Sequence, residues 1–124
     1  MIYHNEKALF IKIAERLCDD ILSGCYTEGA LVPSVRELAA EYEVNINTAL
    51  RAFELLQRDN ILLSQRGIGM SVAKGARKRI LSARRKEFLQ HELPDFMRRM
   101  ELLGLTLDDI AREWRAQDGM EKVS

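Results

Sequence analysis

Several things are scarce in this chain, and each scarcity removes a class of protein. Its 124 residues hold two cysteines, two prolines and two histidines. A structural metal site needs four ligands at short spacing, and Cys18 and Cys25 have no matching pair elsewhere. Reduced, structural thiols are therefore expected, with no metal and no cofactor. No apolar run reaches the length of a membrane span, about eighteen residues. The opening residues, Met1 to Glu6, show no basic region followed by an apolar stretch, which leads us to expect a cytoplasmic protein without a secretory signal. Surplus charge is missing too: 19 Lys and Arg balance 19 Asp and Glu. A protein that binds nucleic acid usually carries a basic excess, so here any such footprint has to come from local placement.

What is present is helical periodicity. Hydrophobic residues make up 47% of the chain, an ordinary globular share. Between Ala8 and Ser23 the apolar residues Phe10, Ile13, Ala14, Leu17 and Ile21 step by three and four, predicting an amphipathic helix that Gly24 closes. Residues 25–33 read as a loop, punctuated by Gly29 and Pro33. Ser34 and Glu37 have capping-box spacing and open a second helix, which ends near Tyr42 or Glu43. A turn at Val44-Asn45 leads to a third helix from about Asn47 to Gln57, with Ala49, Ala52, Phe53 and Leu56 as its buried stripe.

Two short helices joined by so tight a turn predict a helix-turn-helix. The stretches 61–65 and 70–73 read as strands flanking Arg66-Gly67-Ile68-Gly69. The expected fold is mainly α: a winged helix-turn-helix of three helices and a two-stranded wing over residues 1–74, then a helical dimerisation tail over 75–124. In that tail Pro94 is expected to kink or break the helix, Gly104 to stop it, and Thr106 with Asp109 to start a last one.

A helix that enters the major groove keeps one face for its own core and offers the other to base edges. The outer face of the third helix carries Asn47, Leu50, Arg51, Glu54 and Arg58, with Asn45 and Ile46 just ahead. Asn can pair with adenine, Arg with guanine, and an apolar group can meet a thymine methyl. Asn45 or Asn47 as a plain helix cap is the competing reading, and the two are compatible beside phosphate. Ser34 and Arg36 begin the helix that crosses the DNA backbone in this architecture, and Arg66 and Gly67 sit at the turn of the wing.

The segments Val32 to Ala39, Val44 to Thr48, Arg51-Ala52-Phe53 and Arg66 to Gly69 together resemble the DNA-binding domain of GntR-type regulators. The similarity covers roughly residues 8–73, and the short helical tail resembles the YtrA-like branch. The resemblance implies a transcription regulator that binds palindromic operators as a dimer and usually represses, with Arg36, Asn45, Asn47, Thr48, Arg51 and Gly67 approaching DNA. Ile46 stands where that branch commonly has proline, Leu50 where relatives are often polar or basic, and Met70-Ser71 where a threonine and an aromatic are common.

Arg77 to Lys86 holds six basic residues and no acidic one. These either supply part of the missing footprint or form a solvated helix face. Beyond them Leu89, Leu93, Phe96, Met100 and Leu103 step as a heptad seam, and Leu107, Ile110 and Trp114 lie on the apolar face of the last helix. A lone seam of this length calls for a second copy of the chain, so a homodimer is expected, with a small effector pocket as the alternative use of the stripe. No nucleophile–base pair or phosphate-cradling loop points to an enzyme. The rival to a double-stranded DNA partner is a winged helix used only for protein contact, which the neutral charge and Glu54 favour.

Overall fold

Local chemistry at the helix ends sets most of the architecture. The computed structural model describes residues 8–123, with side chains described as far as residue 119. Three helices come first, α1 (Leu9–Leu22), α2 (Val35–Tyr42) and α3 (Ile46–Arg58). The strands β1 (Leu62–Gln65) and β2 (Gly69–Val72) follow, then the helix α4 (Ala76–Glu87). A π-helical stretch, Phe88–Glu92, leads into α5 (Leu93–Leu103), and α6 (Leu107–Val123) is the last element among the described residues. This is the expected mainly helical fold, a winged helix-turn-helix with a helical C-terminal region.

The capping box of α2 forms in full. The Ser34 hydroxyl accepts from the Glu37 N–H at 3.1 Å while the Ser34 N–H donates to the Glu37 carboxylate at 2.9 Å. The helix then ends on Glu43, which takes the left-handed conformation at φ 54 that glycine usually supplies. The Val44 N–H returns to the Ala39 carbonyl at 2.9 Å and the Glu43 N–H to the Ala40 carbonyl, which satisfies the exposed end of α2 and turns the chain toward α3. Asn60, at φ 60, closes α3 in the same way, with the Ile61 N–H donating to the Leu56 carbonyl at 2.8 Å.

β1 and β2 pair antiparallel from Leu62 opposite Val72 to Gln65 opposite Gly69, and Arg66-Gly67-Ile68 forms the tip. Gly67 at φ 77 makes that tip possible, since a side chain there would be strained. Residues 29–32, read from sequence as plain loop, run along the other edge of β2. The Val32 N–H donates to the Met70 carbonyl, and Leu31 bridges Ser71. Gly29 and Pro33 hid this pairing, because both are poor strand residues.

Two compact units divide between Ala83 and Arg84. In the first, α1, α2 and α3 pack around Ile13, Leu17, Leu38, Phe53 and Leu56, and the wing adds Leu62 and Val72. Ala76 and Ile80 of α4 are buried in the same core, so this unit reaches past residue 74, where the winged helix was expected to end. In the second unit, Pro94 sits in the first turn of α5, directly after the π-helical stretch. Proline has no N–H to donate and its ring clashes with the carbonyl one turn back, and a wide turn at this point accommodates both. Gly104 at φ 69 ends α5, and Thr106 and Asp109 cap α6 reciprocally.

Candidate nucleic-acid interface

α3 has the two faces that a reading helix needs. Ala49, Ala52, Phe53 and Leu56 are buried, while Ile46, Asn47, Leu50, Arg51, Glu54 and Arg58 are exposed and Thr48 is half-buried. Ile46 is 48% and Leu50 41% exposed, two aliphatic side chains one turn apart in water with no core to join. The Asn45 side-chain carbonyl accepts from the Asn47 N–H at 2.8 Å, so the cap reading of Asn45 holds. That bond leaves the Asn45 amide protons available to another acceptor. No acidic residue lies in the first turn of α3, so the positive end of its dipole is open to an anion.

The start of α2 differs. Ser34 uses its oxygen as the cap acceptor, and Arg36 is exposed in the first turn. Yet the Glu37 carboxylate already occupies the helix end, held below the usual carboxylate range by the Ser34 N–H and then by the Ser34 hydroxyl. A phosphate approaching there meets Arg36 rather than free backbone N–H groups. At the wing tip Arg66, Gly67 and Ile68 are all exposed.

Arg51, the central cation of the α3 face, does not project alone. Its guanidinium carbon lies over the Phe10 ring, 4.2 Å from the ring centre. From sequence Phe10 belongs to the buried stripe of α1, but it is only half-buried and spends a ring face on this cation. The pattern that placed Phe10 inward holds no sign of a partner 41 positions away.

The basic run after the wing divides by role. Arg77 donates to the Leu22 carbonyl at the end of α1. Arg79 donates to the Asn60 carbonyl at 2.9 Å and to the Lys74 carbonyl at 2.7 Å. With the Gly75 N–H on the Glu28 carboxylate at 2.9 Å, these bonds tie α4 to the winged helix. Arg77 and Arg79 therefore have structural partners, an outcome that neither sequence reading of the run foresaw.

The tail residues form a different kind of surface. Leu89, Phe96, Leu103, Leu107 and Trp114 are exposed, while Leu93, Met100 and Ile110 are half-buried. Phe96, Met100, Leu103 and Ile110 share the lining of an open cavity of about 280 Å³ with Arg99 and Leu105. The sequence seam omitted Met97 and Leu102, the latter 81% exposed. Both fall within α5 but off the heptad spacing.

A helix-turn-helix with a wing, whose second helix turns a mixed polar and aliphatic face outward, defines a DNA-binding transcription regulator. The family model for bacterial regulatory proteins of the gntR family matches residues 11–72, and the chain belongs to that family. A solved regulator of the GntR family from Bacteroides thetaiotaomicron is 39% identical with a TM-score of 0.77, covering 92% of this chain and 99% of its own. The HTH-type transcriptional regulator YhcF of Bacillus subtilis is 28% identical over 108 residues, 87% of this chain and 88% of that protein. The HTH-type transcriptional repressor YtrA of the same organism is 26% identical over 106 residues, 86% of this chain and 80% of that protein. Among the described residues no helix is long and apolar enough to cross a membrane.

Proposed function

We propose that this regulator is a cytoplasmic repressor that binds a palindromic operator in double-stranded DNA as a homodimer. The carrying observation is the outer face of α3. Asn47, Leu50 and Arg51 stand exposed on a helix whose opposite face is fully packed, which suits rigid insertion into a major groove. In this reading Arg51, Asn47 and Leu50 meet base edges. Ser34, Arg36, Asn45 and Thr48, with Arg66 and Gly67 of the wing, lie along the sugar-phosphate backbone. The YtrA relative is a transcriptional repressor, which supports repression over activation.

The dimer reading rests on the second unit, where no described residue is buried while Leu107 is 77% and Trp114 76% exposed. Helices with so little internal burial gain their stability by packing, and a second copy of the same surface supplies it. Leu89, Leu93, Phe96, Met100, Leu103, Leu107, Ile110 and Trp114 form that interface. A two-fold dimer presents two equivalent heads, so the operator is an inverted repeat with half-sites about one helical turn, or a multiple, apart.

Selection of retained duplexes from a random pool, followed by footprinting and a salt titration, tests the reading. An inverted repeat whose affinity falls steeply with salt is the expected result. A single unpaired half-site at saturation rules out the dimeric operator. Failure to retain any duplex at low salt leaves the winged helix as a protein-contact module.

A further inference from the structure

We propose that Phe10 is a positioning residue for base recognition: its ring holds the Arg51 guanidinium by its face, so that the N–H edge is presented to the base that Arg51 reads. The inference rests on α3 being the helix that enters the major groove, and it deepens that reading by assigning a role to a residue on another helix.

The geometry carries it. Phe10 lies in the first turn of α1, half-buried, with its ring packed against the core cluster. α1 packs on α3, and the Arg51 guanidinium carbon sits 4.2 Å from the Phe10 ring centre. A cation over a ring face is attracted by the ring quadrupole and spends no hydrogen-bond donor in doing so. The guanidinium keeps its planar fork for guanine O6 and N7, the acceptors that it matches with two parallel bonds. A ring anchored in the core is a fixed support. An arginine held against it loses less freedom when it docks than one sweeping through solvent. The same support restricts the fork to one approach direction, which makes Phe10 a determinant of selectivity as well as of affinity.

A purely structural role for Phe10 makes different predictions. Ring packing alone gives a loss on Phe10 replacement that is independent of Arg51 and equal for every DNA sequence. The test therefore uses Phe10→Leu, Phe10→Tyr, Arg51→Ala and the double variant Phe10→Leu/Arg51→Ala in the full chain. Each is titrated against the selected operator and against duplexes carrying the other three base pairs at the position that Arg51→Ala blurs.

Phe10→Leu is expected to weaken operator binding about two- to fivefold, the scale of an exposed cation–π contact, and to flatten preference at that one position. Phe10→Tyr, which keeps the ring, is expected to retain both. In the Arg51→Ala background Phe10→Leu is expected to change nothing further. Without DNA, the Arg51 side-chain protons should show an upfield ring-current shift in the wild type and in Phe10→Tyr, and lose it in Phe10→Leu. A Phe10→Leu loss that persists undiminished without Arg51, or one that leaves base preference intact, overturns the inference, as does absence of the ring-current shift in the wild type. A wild-type chain that binds no duplex overturns the reading of α3 itself, and its ring-current signal then reports only the contact.

Discussion

The two units of this chain solve the problem of burial in opposite ways. All sixteen buried hydrophobic residues among those described lie between Ile13 and Ile80. From Arg84 to residue 119 there are none, although the apolar side chains there include Phe88, Phe96 and Trp114. The first unit has a buried core of its own and can hold α3 rigid. The second displays its apolar surface, so its stability is tied to whatever covers it. The difference suits a division of labour in which reading demands a fixed geometry and assembly demands an exposed one.

The strongest way to break the comparison is to injure one large apolar side chain in each unit. Phe53 is 1% exposed, and Phe53→Ala is expected to cost about 3–5 kcal/mol of folding stability, seen as a large drop in the urea or thermal midpoint. Phe96 is 42% exposed, and Phe96→Asp is expected to leave the first unit folded while sedimentation shows monomers in place of dimers. Because two linked heads gain affinity over one, operator binding should then fall about 10²- to 10⁴-fold with little change toward a single half-site. An unchanged dimer moves the interface elsewhere, and a collapse of the first unit removes the claimed independence.

Sequence exposed the first unit more fully than the second, for physical reasons. The stripes of α1 and α3, the Ser34–Glu37 box and the Asn45 cap are local, written within one or two turns of helix. The reverse turn at Glu43 was visible only as a place where α2 stops, since nothing about glutamate favours a positive φ. Arg77 on the Leu22 carbonyl and Arg79 on the Asn60 carbonyl were not legible at all. Each links residues far apart in the chain, and a basic run looks the same whether it faces carbonyls, phosphate or water. In the tail the seam was legible as a period, but the π-helical stretch before Pro94 shifts the faces on either side of it, which a uniform heptad cannot represent.

Within the first unit, the open N-terminus of α3 and the occupied one of α2 predict separable roles for two arginines. Arg51→Ala is expected to cost about 1–3 kcal/mol on the operator and to blur one position per half-site. Arg36→Ala is expected to weaken operator and scrambled duplex alike and to lower the salt slope by about one per lost phosphate contact in each subunit. Binding isotherms at several salt concentrations decide, with unchanged melting as the control. If Arg36→Ala relaxes base preference while Arg51→Ala lowers both affinities equally, reader and anchor are exchanged.

The smallest effect sharpens the comparison most directly, because the same device occurs in both units. Glu37 is held below the usual carboxylate range first by the Ser34 N–H and then by the Ser34 hydroxyl. Asp109 is held down in the same way by Thr106, with Arg112 adding to the effect. A carboxyl whose folded pKa lies below its unfolded one stabilises the folded state above the unfolded value, and that contribution fades as pH falls through the folded value. Both boxes therefore weaken in acid, below about pH 4, and neither changes near neutrality. Their consequences should differ: α2 remains held by the buried Leu38 and Ala39, whereas α6 has no buried residue among those described. Amide exchange measured from pH 6 down to pH 3, corrected for the intrinsic pH dependence of exchange, should show α6 losing protection at its first turn while α2 keeps its own. Asp109→Asn should reproduce the acid behaviour of α6 at neutral pH, and Glu37→Gln should leave α2 protected while strengthening non-specific DNA binding by removing a carboxylate from the phosphate path. Loss of α2 protection before α6 would mean that the core of the first unit does not hold its helix-turn-helix as firmly as its burial implies.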